Sequence, residues 1–131
     1  TQEYFSMRCL PNYTLEYLMQ NLTDKKIRIA VASNSIRATV SKAIENLQLE
    51  NFVEFSLSNE DVKNGKPNPE IYNKAINMLD LQPKECLVVE DNFNGIKAAL
   101  DSGANLLKVA SVDEVNHINV MKRIDELNKS L

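Results

Sequence analysis

Tryptophan is absent from this chain, histidine occurs once, and glycine occurs three times. No Gly-x-Gly-x-x-Gly turn follows any predicted strand, which excludes the usual dinucleotide-binding fingerprint. The two cysteines, Cys9 and Cys86, lie too far apart in sequence to form a metal-type pair. Cys86 opens a predicted buried strand, so the expectation is a free structural thiol in a reducing compartment. His117, the lone histidine, falls in the last predicted helix and reads as a surface residue rather than a base. No apolar run reaches membrane-spanning length and no basic-then-apolar leader is present, so a cytoplasmic setting and no membrane partner are expected. Charge of one sign is also lacking. Lys and Arg number 15 against 18 Asp and Glu, a formal net charge of -3, and the signs are interspersed. That argues against nucleic acid as a partner and points to small molecules.

What is there suits one globular domain: 131 residues, 44% hydrophobic and 25% charged, with no repeat or low-complexity tract. Helical spacing begins at Thr14, with Leu15, Leu18, Met19 and Leu22 on one face. Residues 27–32 are short and β-branched, a strand ending at Ser33-Asn34-Ser35. Ser35 is placed to cap the next helix, whose stripe is Ile36, Val40, Ile44 and Leu47. A second strand spans 53–57. Asn68 and Pro69 then open a helix over Ile71, Tyr72, Ala75, Ile76 and Leu79. The third strand, 86–90, is almost wholly apolar and stops at Glu90-Asp91. Its helix runs from about Gly95 to Ser102 and is closed by Gly103. A fourth strand at 106–109 precedes a final helix with Ile118, Met121, Ile124 and Leu127 on one face. Alternation of this kind predicts an α/β fold: a doubly wound, Rossmann-like parallel sheet with helices on both faces.

In such sheets ligands bind beyond the C-terminal ends of the strands. Three polar groups fall at those ends. Ser33-Asn34 offers a hydroxyl and an amide beside a helix start, suited to a phosphate or simply to capping. Lys66 is held extended by Pro67, which fixes where its ammonium points, although a lysine there is as readily a solvated loop charge. Glu90 and Asp91 are adjacent carboxylates that need a cation between them, Mg2+ being the usual one, or else complement a helix dipole. Their shared position on one sheet edge favours a common site.

The stretches Val31-Ala32-Ser33-Asn34-Ser35, Gly65-Lys66-Pro67-Asn68-Pro69-Glu70-Ile71-Tyr72 and Val89-Glu90-Asp91-Asn92-Phe93-Asn94-Gly95-Ile96-Lys97-Ala98-Ala99, followed by Ser102-Gly103-Ala104, resemble the second, third and fourth motifs of the haloacid dehalogenase superfamily. The similarity is greatest to its β-phosphoglucomutase and sugar-phosphate phosphatase branch, and it covers residues 11–109. The resemblance implies Mg2+-dependent phosphoryl transfer on a small phosphorylated metabolite through an aspartyl-phosphate. Ser33 would bind the transferring phosphate with help from Asn34, Lys66 would neutralise it, and Asp91 with Glu90 would hold Mg2+. Asn92 stands where that branch usually has serine.

The family's nucleophile lies in an Asp-x-Asp motif at the end of a first strand, and no Asp-x-Asp occurs in this sequence. The expectation is therefore an incomplete core domain at 11–131, residues 1–10 being the tail of a helical cap, with the nucleophile outside the chain and the 131 residues inactive alone. A complete chain would instead be a non-catalytic phosphate-binding or interaction module. By the same resemblance the missing strand is the central one, between the strands at 27–32 and 86–90. Their facing edges should then be filled by an N-terminal segment or a neighbouring chain, or else pair directly with each other.

Overall fold

The structure, a computed structural model, describes residues 15–129. Cys9, Pro11, Thr14 and the expected cap tail at 1–10 lie outside the described residues. Strands β1 (Ala30–Ala32) and β2 (Phe55–Leu57) pair in parallel, with Ala30 opposite Phe55 and Ala32 opposite Leu57. Strands β3 (Leu87–Glu90) and β4 (Asn105–Lys108) form a second parallel pair, with Leu87 opposite Asn105 and Glu90 opposite Lys108. Among the described residues no ladder joins β1 to β3. The sheet is thus in two halves.

Helices cover both faces, and side-chain alternation along the strands explains how. Helix α1 spans 15–24, and α5 is His117–Lys129. Leu18, Leu22 and Val120 from these helices are buried together, with Ile27, Ile29 and Leu107 packed against them. On the opposite face α3 (Glu70–Leu79) and α4 (Phe93–Ser102) bury Ile71, Tyr72, Ala75, Ala98 and Ala99 with Leu57. Ala32, Phe55, Val88 and Leu106 close that cluster. Leu106 and Leu107 are neighbours in sequence and serve opposite layers, as period-two alternation requires. Because the second cluster draws on both strand pairs, α3 and α4 hold the two halves of the sheet together.

Several local expectations are corrected. Helix α2 (Arg37–Asn46) has no cap from Ser35. The Glu60 carboxylate accepts from Arg37 N at 2.5 Å instead, an anion at a helix N-terminus brought from 23 residues away. Ile36 is exposed and only Val40 of the proposed stripe is buried, Ile44 and Leu47 being half-buried. In α5 Met121 and Ile124 of the expected face pack beside the buried Val120, whereas Ile118 is exposed. Helix α4 starts two residues earlier than expected, because Asn92 accepts from Gly95 N at 2.9 Å and so sets the first turn. Gly103 closes α4 in the left-handed region at φ 85°, as its position predicts. Helix α3 starts at Glu70, one residue after the expected Pro69, which takes the cap position, while the Asn68 side chain accepts from Glu70 N at 2.9 Å.

The inner strands are shorter and wetter than a doubly covered parallel strand should be. Residues 27–32 were expected to extend as one strand, but ladder pairing covers only Ala30–Ala32. A strand with a neighbour on one side has half its backbone groups without ladder partners, and every residue of β1 and residues 87–89 of β3 are only half-buried. Between the two edges runs a cleft of about 1500 Å³. Among the described residues no helix is long and apolar enough to cross a membrane.

Candidate phosphoryl-transfer site

The cleft opens at the C-terminal ends of β1 and β3, where Ser33, Asn34, Lys66, Glu90 and Asp91 all line it. The three polar groups expected to converge from separate parts of the sequence therefore border one space. Each is placed by the element that precedes it.

Lys66 stands before Pro67 across a cis peptide bond. Its ammonium donates to the Ala32 carbonyl oxygen at 3.0 Å, at the end of β1, and to Glu90 Oε2 at 2.6 Å, at the end of β3. It also lies 4.9 Å from the centre of the Tyr72 ring. The side chains of Lys66 and Glu90 are 9% and 7% exposed, so this ion pair is shielded from water. An ammonium has three protons, and two are committed to these acceptors. The third remains for a group in the cleft.

Glu90 is buried at the cleft's edge. The Tyr72 hydroxyl donates to the same Oε2 that Lys66 uses. Burial, reinforced by the Glu90 carboxylate, pushes the Tyr72 phenol well above its ordinary range, so it stays a donor. A Cβ added at Gly95 would stand 2.1 Å from the Glu90 carboxyl carbon. Gly95 is therefore the residue that lets the first turn of α4 close over the carboxylate. Asp91 is different. It is exposed and accepts from the Asn92 amide at 3.5 Å, so its oxygens are open to the cleft mouth.

Ser33 and Asn34 divide their work. Ser33 Oγ accepts from Ser35 N at 3.1 Å and Ser33 N donates to the Leu57 carbonyl at 3.0 Å, which ties the turn to β2. Asn34 faces the Lys66 loop: its Oδ1 accepts from Lys66 N at 2.9 Å and its Nδ2 donates to Lys66 O at 3.2 Å. That loop is held from its other side by Glu70, which accepts from Lys63 N at 2.8 Å and Asn64 N at 3.1 Å. Those backbone donors hold the Glu70 carboxyl below its usual range. His117 lies away from the cleft and stacks edge-on with Tyr17 at 5.3 Å between ring centres, whereas Cys86 is a free, half-buried thiol that lines the cleft.

Sequence reasoning placed Tyr72 in the core and Gly95 at a helix start, and missed that both enclose Glu90. It also missed Glu70. The signal for the tyrosine was its polar tip on a buried stripe, which needs a partner when desolvated.

As to metal, the described residues hold no cluster of three or more His, Cys, Asp or Glu side chains that could bind one. Asp91 fits a hard cation, with accessible carboxylate oxygens, and Glu90 retains Oε1 beyond its bonds to Lys66 and Tyr72. Two carboxylates make part of an octahedral oxygen shell.

Comparison with known proteins places the chain in a family. The family model for haloacid dehalogenase-like hydrolases matches residues 8–109. A chloroplastic 5-amino-6-(5-phospho-D-ribitylamino)uracil phosphatase of Arabidopsis thaliana is 32% identical over 111 residues, covering 82% of this chain and 30% of its own length. A phosphorylated carbohydrates phosphatase of Thermotoga maritima is 29% identical over 99 residues, covering 76% of this chain and 46% of its own. A β-phosphoglucomutase from Clostridium difficile shares the fold, with a TM-score of 0.71 at 21% identity over 86% of this chain and 56% of that one. The chain thus spans less than half the length of the two phosphatases. With the second, third and fourth motifs gathered at one cleft and the family model covering most of its length, this chain belongs to the haloacid dehalogenase-like hydrolases.

Proposed function

We propose that this chain carries the phosphate-binding and metal-binding side of a phosphoryl-transfer centre that acts on a small phosphorylated metabolite, as a phosphatase or phosphomutase. The observation that carries the reading is the Lys66 ammonium. It bridges the end of β1 and the end of β3 with one proton still free, at the rim of a cleft bordered by Ser33 and Asp91.

A phosphoryl group in transfer spreads negative charge over its oxygens, and there is little for a protein to do beyond positioning it and neutralising that charge. Ser33 offers a hydroxyl and Lys66 a fixed cation for this purpose. Glu90 keeps the ammonium aimed, through a shielded ion pair at 2.6 Å. Asp91, with the second oxygen of Glu90, would hold Mg2+, which supplies charge neutralisation on the phosphoryl oxygens. The nucleophile in this reading is an aspartate at the end of a strand that fills the cleft between β1 and β3 and is not among the described residues. Pairing with both inner edges would satisfy backbone groups that otherwise cost roughly 1–3 kcal/mol each when buried unpaired.

The test is acid quenching of the full-length protein during turnover of a labelled phosphomonoester. The proposal expects protein-bound label that is stable in acid and lost with hydroxylamine, as an acyl phosphate is, and that is absent without Mg2+. Turnover with no acid-stable label, or label undiminished when Mg2+ is chelated, would overturn it.

A further inference from the structure

We infer that Asn34 is a positioning residue for Lys66, acting through that residue's backbone and not through the phosphate. The inference rests on the reading of Lys66 as the phosphate-facing cation and extends it to what holds that cation in place.

Asn34 commits both ends of its amide to one residue, accepting from Lys66 N at 2.9 Å and donating to Lys66 O at 3.2 Å. The pairing fixes the orientation of the amide, since only the oxygen can accept from a backbone N–H. Gly65 makes room for it: a Cβ at Gly65 would lie 2.9 Å from Asn34 Oδ1, closer than ordinary contact allows. The loop cannot acquire a side chain there and keep the clamp. The consequence is geometric. Asn34 pins the Lys66 backbone to the end of β1, and the Lys66 ammonium returns to the same strand end at the Ala32 carbonyl. Lys66 is thus tethered to β1 at both its backbone and its tip, so its position follows β1 and not the exposed loop around Asn64 and Gly65. Both polar atoms of the Asn34 amide are engaged by Lys66, leaving one Nδ2 proton uncommitted.

A double-mutant cycle in the full-length protein tests this, with p-nitrophenyl phosphate as the probe and hydrogen exchange at the Lys66 amide as a readout independent of turnover. Asn34→Ala should lower kcat by about tenfold to a hundredfold with KM little changed, the usual effect of misplacing a catalytic group. In the Lys66→Met background the same change should cost less than about twofold, because the residue it positions is gone. Exchange at the Lys66 amide should accelerate in Asn34→Ala and recover in part in Asn34→Asp, which keeps an acceptor for that N–H. Equal losses in both backgrounds, or a loss carried by KM and made worse by Asn34→Asp, would show a direct phosphate ligand and overturn the inference. Unchanged exchange in Asn34→Ala would overturn it as well. If Lys66→Met leaves turnover intact, the proposed function fails, while the exchange result still decides whether the clamp exists.

Discussion

Glu90 Oε2 accepts from both the Lys66 ammonium, at 2.6 Å, and the Tyr72 hydroxyl, so one buried oxygen ties the loop after β2 to the end of β3 and to helix α3. Site and fold share this carboxylate. Changing its neighbours therefore changes stability as well as chemistry.

Breaking the pair from either side leaves a charge in a shielded place without its partner. Lys66→Met should destabilise the protein by roughly 3 kcal/mol, and Glu90→Gln by a comparable amount. The double variant Lys66→Met with Glu90→Gln should be less destabilised than the sum of the single changes, because no charge is then stranded. Urea denaturation of the three variants measures this. Additive losses would mean that the two side chains do not interact.

Gly95→Ala gives a prediction with a sign opposite to helix propensity. Alanine is favoured over glycine in a helix by about 1 kcal/mol. Here the added methyl would stand 2.1 Å from the Glu90 carboxyl carbon and push it off Lys66 and Tyr72. The variant should melt below the wild type. A higher melting temperature would show that Glu90 does not sit under the first turn of α4.

Glu70 supplies a pH dependence. Its carboxyl is held below the usual range, first by the Lys63 N–H and then by the Asn64 backbone and side chain. A depressed folded pKa means that the ionised form is favoured in the folded state. The stabilisation is then fully present above the unfolded value, roughly pH 4, and lost as pH falls through the folded value. Glu70→Gln should weaken the protein at pH 7, and the difference from wild type should shrink below about pH 4. Denaturation midpoints across that range check it, and a gap that widens on acidification would contradict it.

The elements of the fold were legible because short β-branched runs alternate with helical stripes, and that pattern survives in any register. Which side of a stripe is buried was less so. Ile36 and Ile118 fit their periods and yet are exposed, because the phase of a helix is set by what it packs on, and those partners come from elsewhere in the chain. At the site, Ser33, Lys66, Glu90 and Asp91 could be singled out by their places after strands. The bonds from Lys66 to Asn34 and Glu90 could not, since they span 32 and 24 residues and follow from how the loop folds back on β1. Nor did the sequence show that the Glu60 carboxylate, and not Ser35, would meet the start of α2.

Asp91 offers the most direct measurement of the central claim, because it is exposed and touches little, so replacing it leaves the fold undisturbed. That measurement is the kcat/KM of the full-length protein for a phosphomonoester at saturating Mg2+, compared with Asp91→Asn at equal melting temperature. A phosphoryl-transfer centre at the ends of β1 and β3 predicts a loss on the order of a hundredfold or more. Turnover in Asp91→Asn equal to wild type would contradict it.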